Sequence, residues 1–160
     1  MEPAANLAMA SMERLVELKG DITGEVIARY YARFPEARAS FEQHGCGYRE
    51  ELEGRMVNTT AFFLLQWIEN RTSTLIEQGT TIPRHHDTLQ VGPQWYMGLI
   101  DTVLAVLLET IPAENADERG MWIAARSEIA QFVEQMRSEF FRKDDDGPLP
   151  AFDPPQSKSA

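Results

Sequence analysis

Three histidines, His44, His85 and His86, are the residues whose type could carry chemistry. Imidazole is the usual protein ligand of haem iron. His85 and His86 are adjacent, and neighbours on a helix point about 100° apart, so at most one of them faces a given pocket. The plainer reading of the pair is a polar helix start at the surface. His44 falls in a glycine-flanked stretch, where a histidine ordinarily faces solvent. Other catalytic signatures are missing: there is no phosphate-binding glycine loop, no nucleophile elbow and no paired-histidine metalloprotease motif. Cys46 is the single cysteine, which excludes an internal disulfide and a thiolate zinc site.

The chain that must position these groups has 160 residues, 43% of them apolar and 25% charged. That is ordinary globular composition, and enough chain to bury a core without disulfides or metals. Acidic residues number 25 against 15 basic, a net charge of −10. Such a chain is repelled by nucleic acid and by anionic lipid, so DNA, RNA and membrane-surface functions are set aside. No run of 18 apolar residues is present, and residues 1 to 20 show neither a basic start nor a clean apolar run. The expected location is the cytoplasm.

Helix formers dominate and alternating β-branched runs are absent, so the expected class is all-α with about seven to eight helices. A first helix is expected over about Asn6–Leu18, stopped at Gly20. Asp21 or Thr23 caps a second, which carries Val26, Ile27, Tyr30, Tyr31 and Phe34. Pro35 leaves room for a short helical turn with Ala37 and Phe41, and His44 to Gly47 reads as a loop. A long helix follows from about Arg49 to Glu69. Residues Asn70 to Pro83 read as irregular or weakly helical because of Gly79 and the threonines. A short helix should carry Arg84 to Gln90. Pro93, at a first-turn position, opens a helix to Ile111, and a last helix covers about Asp117 to Lys143. From Asp144 the composition changes to three aspartates followed by four prolines, one glycine and two serines. Residues 144–160 are expected to be a disordered acidic, proline-rich tail behind a folded domain at 1–143.

Three segments resemble a bacterial globin. The first runs from Ile22-Thr23-Gly24-Glu25-Val26-Ile27 through Phe34-Pro35-Glu36 to Phe41, a helix, a Pro-Glu turn and a phenylalanine six residues after the proline. The second is His86-Asp87-Thr88-Leu89-Gln90-Val91-Gly92-Pro93-Gln94-Trp95-Tyr96-Met97-Gly98, similar to the F–G region of protoglobins and globin-coupled sensors; Ile82 fits four residues earlier. The third is the pair of long final helices, which match G and H in order and length. The resemblance covers roughly residues 7 to 143.

The resemblance implies a globin fold, a three-on-three helical sandwich, holding haem b. It implies His86 rather than His85 as the proximal iron ligand, with Phe41 packed on the haem, Val91 and Trp95 beneath it, and Tyr96 orienting the histidine. A carbonyl or polar side chain should accept from the second ring nitrogen of that histidine. The chain departs from oxygen-handling bacterial globins on the distal side. Where those often carry a tyrosine on the second helix, the Pro35-Glu36 alignment puts Ile27. Leu52 and Met56 are the expected distal residues of the long helix, with Thr59 or Thr60 as the runner-up. A donor to bound oxygen is therefore missing from the expected pocket. His44 could reach the iron as a sixth ligand.

The leading implication is a haem-binding, non-enzymatic gas sensor that takes oxygen, carbon monoxide or nitric oxide opposite His86. The last two helices carry an apolar surplus in Val106, Leu108, Trp122 and Phe141, and related sensors pair through these helices, so a homodimer is expected there. With no output module visible, a signal would pass through that dimer or through a signalling partner protein. Two alternatives stand beside it: a haem-dependent nitric oxide dioxygenase or peroxidase-like enzyme, and a haem-free globin-fold interaction module.

Overall fold

The computed structural model describes residues 2–89, 91–140 and 147–157, leaving aside the side chains of residues 2, 86–88 and 138–140. Seven helices and no strand lie among them: α1 (Glu2–Lys19), α2 (Thr23–Arg33), α3 (Ala37–Gly45), α4 (Arg49–Glu69), α5 (Arg71–Leu89), α6 (Pro93–Thr110) and α7 (Ala116–Phe140). The all-α class follows directly. No described helix is long and apolar enough to cross a membrane.

The punctuation works as its chemistry requires. Gly20 ends α1 at a φ of +63°, a conformation open to glycine at no steric cost. The Asp21 carboxylate accepts the Thr23 N–H at 3.0 Å and starts α2. Phe34 closes α2 on the Tyr30 carbonyl, and Pro35 prevents further winding. Pro93 occupies the first turn of α6, where a missing N–H costs nothing. The helix after Pro35 is longer than a turn: α3 runs through His44 to Gly45, and the reversal is confined to Cys46 and Gly47, both at positive φ.

α6 is the centre of the packing and touches α1, α2, α4 and α7. Val103, Leu104, Val106, Leu107 and Leu108 are all fully buried, so α6 is apolar around nearly its whole circumference. α1 is locked onto α7 by a polar joint inside this core. The Ser11 hydroxyl donates to Glu118 at 2.5 Å and accepts from the Trp122 indole at 2.9 Å, while Arg14 donates to the same carboxylate at 2.6 Å.

Three expectations change here. α5 is one continuous helix through Pro83, not an irregular stretch before a short helix. Ile82 and Thr74 are buried, and the Thr74 hydroxyl donates to the Asn70 carbonyl at 2.8 Å. Burial of these side chains outweighs the weak helix propensity of Gly79 and the threonines. The apolar surplus that argued for a dimer is absorbed within one chain: Val106, Leu108 and Trp122 have no exposed surface, and Phe141 lies outside the described residues.

The third concerns the tail. Residues 147–157 have neither helix nor strand, yet they lie against the helices instead of standing free. Leu149 and Phe152 pack on the core. Arg126 donates to the Pro150 carbonyl at 2.8 Å and Arg33 to the Ala151 carbonyl at 3.1 Å. Two apolar side chains and a row of bare carbonyls facing arginines explain why a proline-rich segment docks. Residues 144–146 and 158–160 are outside the described set.

Candidate functional site: an apolar cavity with one described imidazole

α2, α3 and α4 converge on α5 and α6 around a partly open, mostly apolar cavity of about 130 Å³. Its lining from the first three helices is Tyr30, Phe41, Met56, Thr59, Thr60 and Phe63. On α4 these fall at the i, i+3, i+4, i+7 spacing of one helical face. α5 contributes Gln78, Thr81 and His85; Val91 and the α6 residues Trp95, Tyr96, Leu99 and Ile100 complete the wall. A larger depression of about 460 Å³ beside α3 and α4 is wide open and lined by Glu42, Arg49, Glu50 and Glu51, of which Glu42 and Arg49 pair with each other.

His85 is the described imidazole at this cavity, which the phenols of Tyr30 and Tyr96 also line. Its Nδ1 lies 2.9 Å from the Thr81 carbonyl, one turn back on α5. A carbonyl can only accept, so Nδ1 carries the proton, and in the neutral ring the free lone pair is on Nε2. That is the tautomer a metal-ligating histidine needs. The Tyr96 ring meets the imidazole edge-on, with centroids 5.8 Å apart, and the Tyr96 hydroxyl donates to Gln78 at 2.5 Å. On the α2 side, Tyr30 donates to the Trp95 carbonyl at 2.9 Å and Thr60 to the Met56 carbonyl at 2.7 Å. Burial pushes the Tyr30 and Tyr96 phenols far above their ordinary range, so both stay protonated donors.

Of the residues singled out in the sequence, Phe41, Met56, Val91, Trp95 and Tyr96 come together in this lining, and so do the runners-up Thr59 and Thr60. Ile27 and Leu52 do not. Ile27 is core, and Leu52 packs beside Gly45 at the end of α3. The α2 position that reaches the cavity is Tyr30, one turn further along. His86 lies on α5, but its side chain is outside the described set. His44 is half-buried and uses Nε2 to bond the Leu89 carbonyl at 3.0 Å.

The donor chemistry fits haem: one oriented imidazole, aromatic and aliphatic walls, and hydroxyls turned to internal acceptors. Among the described residues no group of three or more histidine, cysteine or acidic side chains could hold a bare metal ion. Volume fits less well. About 130 Å³ is below the 300–1,000 Å³ of ordinary small-molecule sites, so a macrocycle would require the walls to part. No known protein family, curated protein or solved structure matches this chain.

Proposed function

We propose that this chain is a globin of the bacterial sensor type that binds haem b in the α2–α6 cavity. The observation that carries the reading is the His85–Thr81 arrangement: an imidazole at an apolar cavity with Nδ1 tied to a carbonyl. The ligand comes from the His85–His86 pair. Spacing to Val91, Pro93 and Tyr96 favours His86, and the described cavity presents His85. A rotation of about 100° exchanges them. The last turns of α5 are suited to that, because Pro83 supplies no N–H to the preceding turn.

Haem iron, when bound, supplies a site for a diatomic gas. The chain's own residues set what happens around it. Phe41, Met56 and Phe63 exclude water. Tyr30 and Thr60 have their hydroxyl protons engaged with the Trp95 and Met56 carbonyls, which leaves little to stabilise charge on a bound gas or to shuttle a proton. That favours binding and sensing over dioxygenase or peroxidase-like turnover.

One observation favours the haem-free reading instead, the small volume of the cavity. Titrating haem into the purified chain separates the two. A stoichiometric Soret band supports the haem reading. Absence of one leaves a globin-like interaction module with an internal apolar cavity.

A further inference from the structure

The tail contact has the features of a recognition site and is independent of haem. Residues 147–157 offer four main-chain carbonyls to side-chain donors on three helices. Gln94 bonds the Gly147 carbonyl at 3.0 Å, Arg126 that of Pro150, Arg33 that of Ala151, and Arg119 that of Pro155. Phe152 adds an anchor, with the Arg126 guanidinium 5.3 Å from its ring centroid. The donors are set beforehand. Arg126 is held by Asp101 through two bonds of 2.9 Å, and Arg119 also donates to the Leu108 carbonyl at 2.8 Å.

The peptide side is matched to this. Pro148, Pro150, Pro154 and Pro155 have no N–H, so the segment cannot wind into a helix, and several of its carbonyls have no main-chain partner of their own. Guanidinium donors are the strong complement to such acceptors. Recognition through main-chain carbonyls depends little on side-chain identity, so any extended segment with the same spacing of prolines and an aromatic anchor can make the same bonds.

We propose that the α6–α7 face, together with Arg33 of α2, is a docking site for an extended, proline-containing peptide with an aromatic anchor. Residues 147–157 occupy it in cis, and a partner's segment of that chemistry enters by displacing them. Tethering gives the tail an effective concentration on the order of millimolar, so a free competitor at micromolar concentration loses to it until the tail is weakened.

The test uses the full-length chain and a fluorescent peptide of residues 147–157. Leu149→Ala/Phe152→Ala loosens the cis tail while leaving the groove intact. The double variant should bind the peptide at least about tenfold more tightly than the wild type, and adding Arg33→Ala/Gln94→Ala should weaken that binding again. Equal binding by wild type and double variant, or binding by neither, overturns the proposal. Arg33→Ala/Gln94→Ala in the otherwise native chain supplies a second reading that leaves the tail's apolar anchors in place. Its tail should be cut by a non-specific protease severalfold faster than the wild-type tail; an unchanged rate also overturns it.

Discussion

The Tyr30 hydroxyl donates to the main-chain carbonyl of Trp95 at 2.9 Å, which ties α2 to the first turn of α6 across the rim of the cavity. Both residues line that cavity, and Tyr30 is 2% exposed. The bond explains how a buried phenol is tolerated among Phe34 and Phe41, whose ring centroids lie 5.4 and 6.4 Å from its own. Tyr30→Phe keeps the rings and removes the bond. A net hydrogen bond is worth about 1 kcal/mol, which in a chain this long lowers the melting temperature by about 2–4 °C. Calorimetry checks it; an unchanged melting temperature would show that the hydroxyl contributes nothing net.

Gly98 of α6 sits directly against the ring of Phe34, the residue that closes α2. A Cβ there would stand 2.4 Å from Phe34 Cε2 and 2.8 Å from Cζ. Gly98→Ala should therefore destabilise the fold by about 1–3 kcal/mol through overpacking, despite alanine's better helix propensity. Phe34→Leu in the same chain removes the ring that clashes. The double variant should be clearly more stable than the sum of the two single losses predicts. Additive losses in urea titrations would mean that the helices part without strain.

Glu118 makes the α1–α7 joint sensitive to acid. Burial pushes its pKa up, but Arg14, Ser11 and Asn115 together hold it below the ordinary value of 4.5. Its charged form thus stabilises the fold above about pH 4.5, and that contribution is lost as pH falls through the lower folded-state pKa. Asp101 runs the other way, since burial raises its pKa more than Arg126 lowers it. Its effect cancels when Glu118→Gln is compared with the wild type. The variant should be less stable at neutral pH by roughly 1.5–3 kcal/mol, and the gap should narrow as pH drops from about 6 towards about 3. A gap that is constant across that range would place the acid response elsewhere.

How far the sequence could be read differs by element. The bounds of α2 and the start of α6 were legible because Gly20, Asp21, Pro35 and Pro93 act locally, through φ and hydrogen bonds that need no tertiary partner. α5 was not, because what keeps Gly79 and the threonines helical is the burial of Ile82 and Thr74 against other helices. In the cavity, Val91 stands two residues before Pro93 and Trp95 and Tyr96 two and three after it; the resemblance to the globin F–G region singled them out, and the start of α6 at Pro93 keeps them together. Ile27 and Leu52 lie outside that lining, where α2 presents Tyr30 and α4 presents Met56, Thr59, Thr60 and Phe63. Which turn of each helix faces the cavity is decided by tertiary packing, which the spacing of apolar residues does not show. In the tail, composition points to disorder through the prolines, while the contacts of residues 147–157 come from Leu149 and Phe152 on apolar surface and from carbonyls facing arginines, neither of which composition shows.

Adjacent helical residues point about 100° apart, so one of His85 and His86 can ligate iron in a given arrangement. Only one of His85→Ala and His86→Ala should therefore abolish stoichiometric haem binding. Spacing to Val91, Pro93 and Tyr96 makes His86→Ala the expected loss. In that case His85, with Nδ1 on the Thr81 carbonyl, is the ring at the cavity before haem enters, and α5 turns as the walls part. If His85→Ala is the variant that loses the Soret band, the described ring is itself the ligand and α5 does not turn. Tyr96→Phe should leave haem bound but shift the spectrum, because it removes the 2.5 Å bond to Gln78 beside the imidazole. Equal haem retention in both single variants and in the double variant His85→Ala/His86→Ala would remove the pair from consideration as iron ligand and leave the cavity without a haem role.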